Sequence, residues 1–272
     1  MEVFFLEGSQ GRLFSIYHPA VRARRPRLGL VYAPPFAEEM NRARRMAALQ
    51  ARRLAELGVD VLLLDPFGTG DSAGDFGDAR WETWSDDIAK AVAWLGERTD
   101  GQVGLWGLRL GALLAADVAA ADPDRIACLI LWQPVLSGDR HLTQFLRLRL
   151  AAAMDKEGPD RETTKELRER LSRGETLEIA GYRLAPALAD SIASLQFQGH
   201  VHRLGRLPIV WLEVASEEIA ALADTSQRIV SALEQQGHRL TAKAVSGEAF
   251  WAAQEITLAP YLLQATDDLF RC

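Results

Sequence analysis

The chain has 272 residues, with 31 Lys and Arg against 37 Asp and Glu; the resulting net charge of −6 lacks the basic field that a nucleic-acid partner demands. Its 48% hydrophobic content is enough for a large buried core, while no apolar run approaches the ~20 residues of a membrane span. Cys128, inside an apolar run, and Cys272 make no disulfide framework, and the acidic opening residues do not read as a secretory leader, so a cytoplasmic protein is expected.

Residues 3–6 and 13–17, split by Glu7-Gly8-Ser9-Gln10-Gly11, predict an opening β-hairpin. The arginines that follow, Arg22, Arg24, Arg25 and Arg27, read as a solvated turn. Residues 28–32 make a compact apolar strand that ends in Ala33-Pro34-Pro35-Phe36. From 41 to 57, Met46, Leu49, Leu54 and Leu57 recur at helical spacing, with Arg42, Arg44, Arg45, Arg52 and Arg53 on the polar face and Gly58 at the end. Residues 59–64, interrupted only by Asp60, have the continuous apolar character of a parallel strand buried on both faces.

The turn-rich loop Asp65-Pro66-Phe67-Gly68-Thr69-Gly70-Asp71-Ser72 leads to an amphipathic helix over 81–97. A strand at 103–106, a glycine-bracketed turn, a helix to about 121 and a strand at 126–132 follow. This alternation predicts an α/β fold with a mostly parallel sheet covered by helices on both faces. After 138 it breaks. Helices over 140–154, 160–171 and 185–195, with an extended piece at 177–184, fill a span too long for a loop. Residues 139–204 are therefore expected to form an inserted helical cap, and residues 1–138 and 205–272 the core. The core resumes with a strand at 207–214, a helix at 225–236, a last strand at 238–245 and a closing helix over 250–270 that Pro260 would kink.

The turn Gly107-Leu108-Arg109-Leu110-Gly111 carries the chemistry-bearing pattern. In hydrolases built on a parallel sheet this strand-to-helix elbow reads G-x-S-x-G, and the serine is lifted clear of the sheet for attack. Here the glycine frame holds arginine, a permanent cation that cannot serve as a nucleophile at neutral pH. In the same layout an acid follows the penultimate strand and a histidine the last one. Past residue 214 the chain offers Ser216, Glu217 and Glu218, with Glu213 just before; past the last strand comes Ser246-Gly247-Glu248-Ala249-Phe250-Trp251, and no histidine follows His238. The three triad positions are thus expected to hold Arg109, Glu217 and Glu248.

The chain resembles the α/β-hydrolases over nearly its whole length, and in particular the second type of exosortase-system-associated hydrolase-like protein of bacteria. The resemblance rests on Tyr32-Ala33-Pro34-Pro35-Phe36-Ala37-Glu38-Glu39-Met40-Asn41, Asp65 to Ser72, Leu105-Trp106-Gly107-Leu108-Arg109-Leu110-Gly111 and Gly247-Glu248-Ala249-Phe250-Trp251. It implies a bacterial cytoplasmic protein linked to surface-protein sorting and exopolysaccharide export. The family's catalytic serine and histidine do not transfer, because the matching positions hold neither.

Arg109 and Glu248 are expected to meet as an ion pair in a remade ligand pocket with Phe36, Leu110, Glu213 and His141. The backbone N–H groups of Phe36 and Leu110 would face an acyl oxygen. Three roles stay open: internal glue of a retired site; a guanidinium with donors to spare for a carboxylate or phosphate at a helix N-terminus; or unorthodox catalysis, with Glu248 or Glu217 as a general base and those two N–H groups as the oxyanion site. Ser72 reads as a turn residue and Ser137 as lying at a strand end. His18, His200, His202 and His238 show no partner pattern, and His200-x-His202 lacks a third ligand, so neither a metal site nor a cofactor is expected. Three functions remain: a non-catalytic or atypical binder of a small acyl or anionic ligand; an ester or thioester hydrolase with a displaced catalytic set; and an interaction module in which Trp81, Trp84, Trp211 or the cap surface docks a protein partner. A homodimer is also left open.

Overall fold

The computed structural model describes residues 1–22, 26–153, 162–215 and 220–271. An antiparallel hairpin, β1 (Glu2–Glu7) and β2 (Arg12–His18), enters a sheet completed by β3 (Gly29–Ala33), β4 (Asp60–Leu64), β5 (Val103–Leu108), β6 (Ile126–Trp132), β9 (Ile209–Ala215) and β10 (Leu240–Ser246). Its spatial order is β1-β2-β4-β3-β5-β6-β9-β10. From β4 to β10 every pairing is parallel, while β2 joins β4 antiparallel. The chain is an α/β protein with a mostly parallel central sheet flanked by helices, as its alternating pattern predicts.

Strand β5 lies at the centre and is buried along its whole length. Its side chains alternate between two apolar layers, Leu105 facing one and Trp106 and Leu108 the other. The first layer holds α2 (Trp81–Gly96) and α3 (Leu110–Ala121); the second holds α1 (Glu38–Glu56) and α9 (Pro260–Asp268). Trp106 and Trp132 meet edge-on at 4.7 Å in the second layer, and the Trp132 indole N–H donates to Thr266 Oγ1 at 3.0 Å. Asp60, the one polar residue in its strand, is fully buried and accepts from Tyr17 Oη and the Arg27 guanidinium, so its charge is matched at the sheet end.

Between β6 and β9 the chain forms α4 (Gly138–Ala153), α5 (Thr164–Ser172), a hairpin of β7 (Leu177–Ile179) and β8 (Tyr182–Leu184), α6 (Pro186–Ser194) and α7 (Phe197–Val201). Leu167, Leu171, Leu188, Ile192 and Phe197 of this insert share one apolar cluster with the sheet, so it is seated on the core rather than set apart from it. After β9 comes α8 (Asp224–Gln235). The expected closing helix over 250–270 is shorter. Residues 250–259 are turns and irregular chain, and the helix starts at Pro260, which has no N–H to give and disfavours helical backbone in Ala259 before it. Pro260 therefore starts the helix instead of kinking it. No helix among the described residues is long and apolar enough to cross a membrane.

Asp87 of α2 is shut away from solvent and accepts the Phe67 N–H at 2.9 Å. Burial pushes its carboxyl up to about 6, and the backbone donors only partly offset this. Because the folded-state value lies above the unfolded one, the folded protein favours the protonated form. Asp87 thus costs stability as pH rises from about 4 through 6. Denaturant melts of wild type and Asp87→Asn at pH 4 and pH 7 should show the variant gaining on wild type between these values by on the order of 2–3 kcal/mol; a difference that does not move with pH would refute the buried carboxyl's role.

Candidate functional site

The elbow between β5 and α3 is built as the sequence pattern demands, with arginine at its apex. Arg109 has φ 57° and ψ −119°, a region that costs an ordinary residue about 1–3 kcal/mol. Its backbone is tied on both sides: the N–H donates to Trp132 O at 3.0 Å, and the carbonyl accepts from Ala112 N–H at 3.1 Å and Val135 N–H at 3.2 Å. The glycine frame is a steric requirement. A Cβ on Gly111 would stand 2.2 Å from Ala33 O, and one on Gly107 would stand 2.5 Å from Ala112 Cα.

The guanidinium does not meet Glu248. It meets Glu39, with Nη2 at 3.1 Å and Nε at 3.2 Å from Glu39 Oε1. Glu38 and Glu39 open α1, directly after Ala37, itself at φ 51° and ψ −123°. The Arg109 guanidinium also lies 5.6 Å from the centre of the Trp251 ring. Around this group is a cavity of about 230 Å³ lined by Phe36, Glu39, Arg109, His141, Phe145 and Trp251, with Glu38 and Arg42 on its wall.

Its electrostatics are unusual. Burial pushes the carboxyl of Glu39 up against the opposing pull of Arg109, and burial raises that of Glu38 as well. Glu38 Oε2 and Glu39 Oε2 are both buried without a hydrogen-bond donor. His141 enters from α4 and packs edge-on against Phe36 at 5.8 Å, and neither of its ring nitrogens has a partner. Burial, helped by the Arg109 charge, lowers its pKa to about 3, so the ring is neutral at physiological pH. Among the described residues, no Ser, Thr, Cys, Lys or Tyr lines this cavity.

Of the residues expected here, Arg109, Phe36 and His141 are brought together. Leu110 lines a small adjoining cleft with Phe36, Trp81 and Trp84, and the N–H groups of Phe36 and Leu110 donate to no protein acceptor among the described residues. Glu213 stands elsewhere: Oε1 accepts the Trp211 indole N–H at 2.8 Å and Oε2 the Ala223 N–H at 3.1 Å, so it braces the start of α8. Glu248 is exposed and forms no side-chain ion pair among the described residues. The loop instead turns Trp251 inward. Glu217, like Ser216 and Glu218, lies outside the described residues, as do Arg24, Arg25 and Cys272.

Ser72 donates to Asp65 O at 2.5 Å and accepts the Phe14 N–H at 2.8 Å, which makes it a turn clasp. His200 is buried near Asp117 and His202 is exposed; among the described residues no three His, Cys, Asp or Glu side chains are grouped to hold a metal. Trp81, Trp84 and Trp211 are all buried, so none offers the docking surface expected of it. The residues that sequence reasoning misses are Glu38, Glu39, Arg42 and Trp251. The two adjacent acids are a usable signal, since acidic residues favour the first turn of a helix.

A family model described as serine aminopeptidase S33 matches residues 29–206. No functionally curated protein matches the sequence significantly. Among solved structures, the chain is similar to Est1E from Butyrivibrio proteoclasticus with bound ferulic acid, at a TM-score of 0.64 and 16% identity over 98% of this chain and 97% of that one. It is similar to the α/β-hydrolase GrgF from Penicillium sp. sh18, at a TM-score of 0.64 and 19% identity over 99% and 97%. It also resembles an N-formylmaleamic acid deformylase, Nfo, from Pseudomonas putida, at a TM-score of 0.55 and 19% identity over 90% and 92%. At these identities the likeness shows the shared fold.

The Arg109–Glu39 pair predicts an asymmetric mutational response. Both side chains are largely buried, so Glu39→Gln strands the guanidinium and should cost about 2–4 kcal/mol in a denaturant melt. Glu248→Gln, at an exposed position, should stay within about 0.5 kcal/mol of wild type. Equal effects would mean that Arg109 is held by something other than Glu39.

Proposed function

Because the chain belongs to the serine aminopeptidase S33 family of α/β-hydrolases yet carries a locked arginine at the elbow, we propose that it binds a small acyl-type ligand without hydrolysing it. The supporting observation is the occupied apex. Where the fold would present a nucleophile, Arg109 is tied to Glu39, and among the described residues no hydroxyl, thiol or amine lines the surrounding cavity. His141 does not replace the missing base: with its pKa near 3 it holds a proton weakly and has no hydroxyl to activate.

The same geometry favours an acyl group over an anion. Glu39 already neutralises the Arg109 guanidinium, so an anionic ligand could pair with Arg109 only by displacing a carboxylate that is part of the protein. A ligand carbonyl has donors waiting in the N–H groups of Phe36 and Leu110. In this reading the insert, residues 139–204, acts as the cap over the ligand, with α4 contributing His141 and Phe145. The connection to exosortase and exopolysaccharide export that the sequence resemblance implies is the setting proposed for it.

A fluorophosphonate probe, which labels activated serines, should leave the protein unlabelled, and p-nitrophenyl acetate should be hydrolysed no faster than by Arg109→Ala. Strong labelling that disappears on changing one serine would overturn this reading in favour of a hydrolase with a displaced catalytic set.

A further inference from the structure

The two edge strands of the sheet are finished differently. At one end, β10 exposes Lys243 in its middle, a charge that deters another strand from pairing there. At the other, β1 runs Val3-Phe4-Phe5-Leu6 with no charge, proline or bulge, and Val3 and Phe5 are 56% and 49% exposed. Arg12, whose guanidinium lies 5.1 Å from the centre of the Phe5 ring, belongs to β2 and stands opposite Glu7, so the middle of the edge strand stays uncharged. The backbone groups that β1 turns outward follow from its partner. Phe14 donates its N–H to Ser72 Oγ at 2.8 Å and accepts the Asp65 N–H at 2.9 Å, both on the side away from β1. Phe5 stands opposite Phe14, so its own N–H and carbonyl point to the outer edge, as do those of Val3 and Glu7 by two-residue alternation.

We propose that two copies of the chain pair antiparallel through β1 about a two-fold axis at Phe4, joining their sheets into one. The strand is complementary to itself in this register. Val3 of each copy stands opposite Phe5 of the other, and each such pair exchanges both of its main-chain hydrogen bonds. Glu2 falls opposite Leu6 and Glu7 opposite Met1, so no like charges are opposed. An axis midway between Phe4 and Phe5 would set outward backbone groups against inward ones, and an axis at Phe5 would set Val3 against the carboxylate of Glu7. On the α2 face the axis brings Phe4, stacked on Trp94 at 4.7 Å, against its own copy as an aromatic cross-strand pair. On the α1 face Val3 and Phe5 extend the half-buried Ile16 and Phe14 beside them into an apolar strip that runs across both copies.

Sedimentation velocity of the full chain, over a concentration series up to about 100 μM, should show a monomer–dimer equilibrium. Phe5→Lys and Val3→Lys each place a charge in the middle of the edge at an exposed position. Each should weaken the dimer about tenfold or more while leaving the far-UV circular dichroism unchanged. In a Cys272→Ser background, mixing Val3→Cys with Phe5→Cys under mild oxidation should give a cross-linked pair that neither variant forms alone. Opposed Cα atoms of a hydrogen-bonded pair lie about 5.5 Å apart, within disulfide reach. A monomer throughout, or a dimer that survives both lysine variants, would overturn the proposal. Cross-linking of Phe5→Cys to itself would overturn the register at Phe4.

Discussion

The N-terminus of α3 packs so closely on the end of β3 that only glycine fits between them. The Cα of Gly111 lies against the carbonyls of Ala33 and Pro34, with room for no further carbon. That approach forces the chain leaving β5 to reverse within one residue, and the residue at the reversal takes the strained backbone of Arg109. The same contact holds the loop after β3 in place, and with it Phe36, Ala37 and the two acids that begin α1. Side chains that line the cavity thus descend from a backbone fit that does not depend on which side chain occupies the apex. An arginine can stand there because the glycines, rather than the nucleophile, define the turn.

Electrostatics then decide what that arginine becomes. A guanidinium at the head of a parallel sheet, partly shielded from water and with the positive end of α3 behind it, is unfavourable alone. Glu39 resolves the conflict from 70 residues earlier in the chain. The match is incomplete, since one carboxylate oxygen satisfies the cation while its twin, and one oxygen of Glu38, stay without donors. His141 is neutral in the same enclosure because burial disfavours the charged ring, and a second cation beside Arg109 would add to the burden. The pocket wall is thus balanced in formal charge, with Gln144 and a lightly engaged Arg42 guanidinium beside the two acids.

Much of the scaffold is legible from periodicity, because continuous apolar runs and helical spacing report burial directly. They locate β6 to the residue, and β4, β5 and α2 to within two. The start of α1 escapes them, because its cap is Ala37 in a strained conformation with no side-chain hydrogen bond, which leaves no capping signal beside the two acids of the first turn. Periodicity consequently places Glu38 and Glu39 ahead of the helix they begin. For the pair at the apex, strand order correctly brings the segment from Gly247 to Trp251 beside the elbow. Which side chain turns inward is set by a local turn, with the Phe250 N–H on Glu248 O at 2.8 Å, and that turn buries Trp251 and exposes Glu248. Charge complementarity alone names the wrong acid, since it has no directional information beyond the sign.

Ala37 and Arg109 adopt nearly the same rare backbone geometry, φ 51° and ψ −123° in one, φ 57° and ψ −119° in the other. Each sits at a sharp turn that leads directly into a helix. Arg109 carries its guanidinium on one of them, and Glu39 lies two residues beyond the other. Their ion pair therefore closes a link between the turns, stabilising conformations that each cost about 1–3 kcal/mol in isolation. In a catalytic relative of this fold the strain at the apex serves to hold a nucleophile ready. Here it is kept with a cation that is already engaged, so the strain and the ion pair together fix the shape of the cavity wall on which Phe36, His141 and Trp251 are arranged.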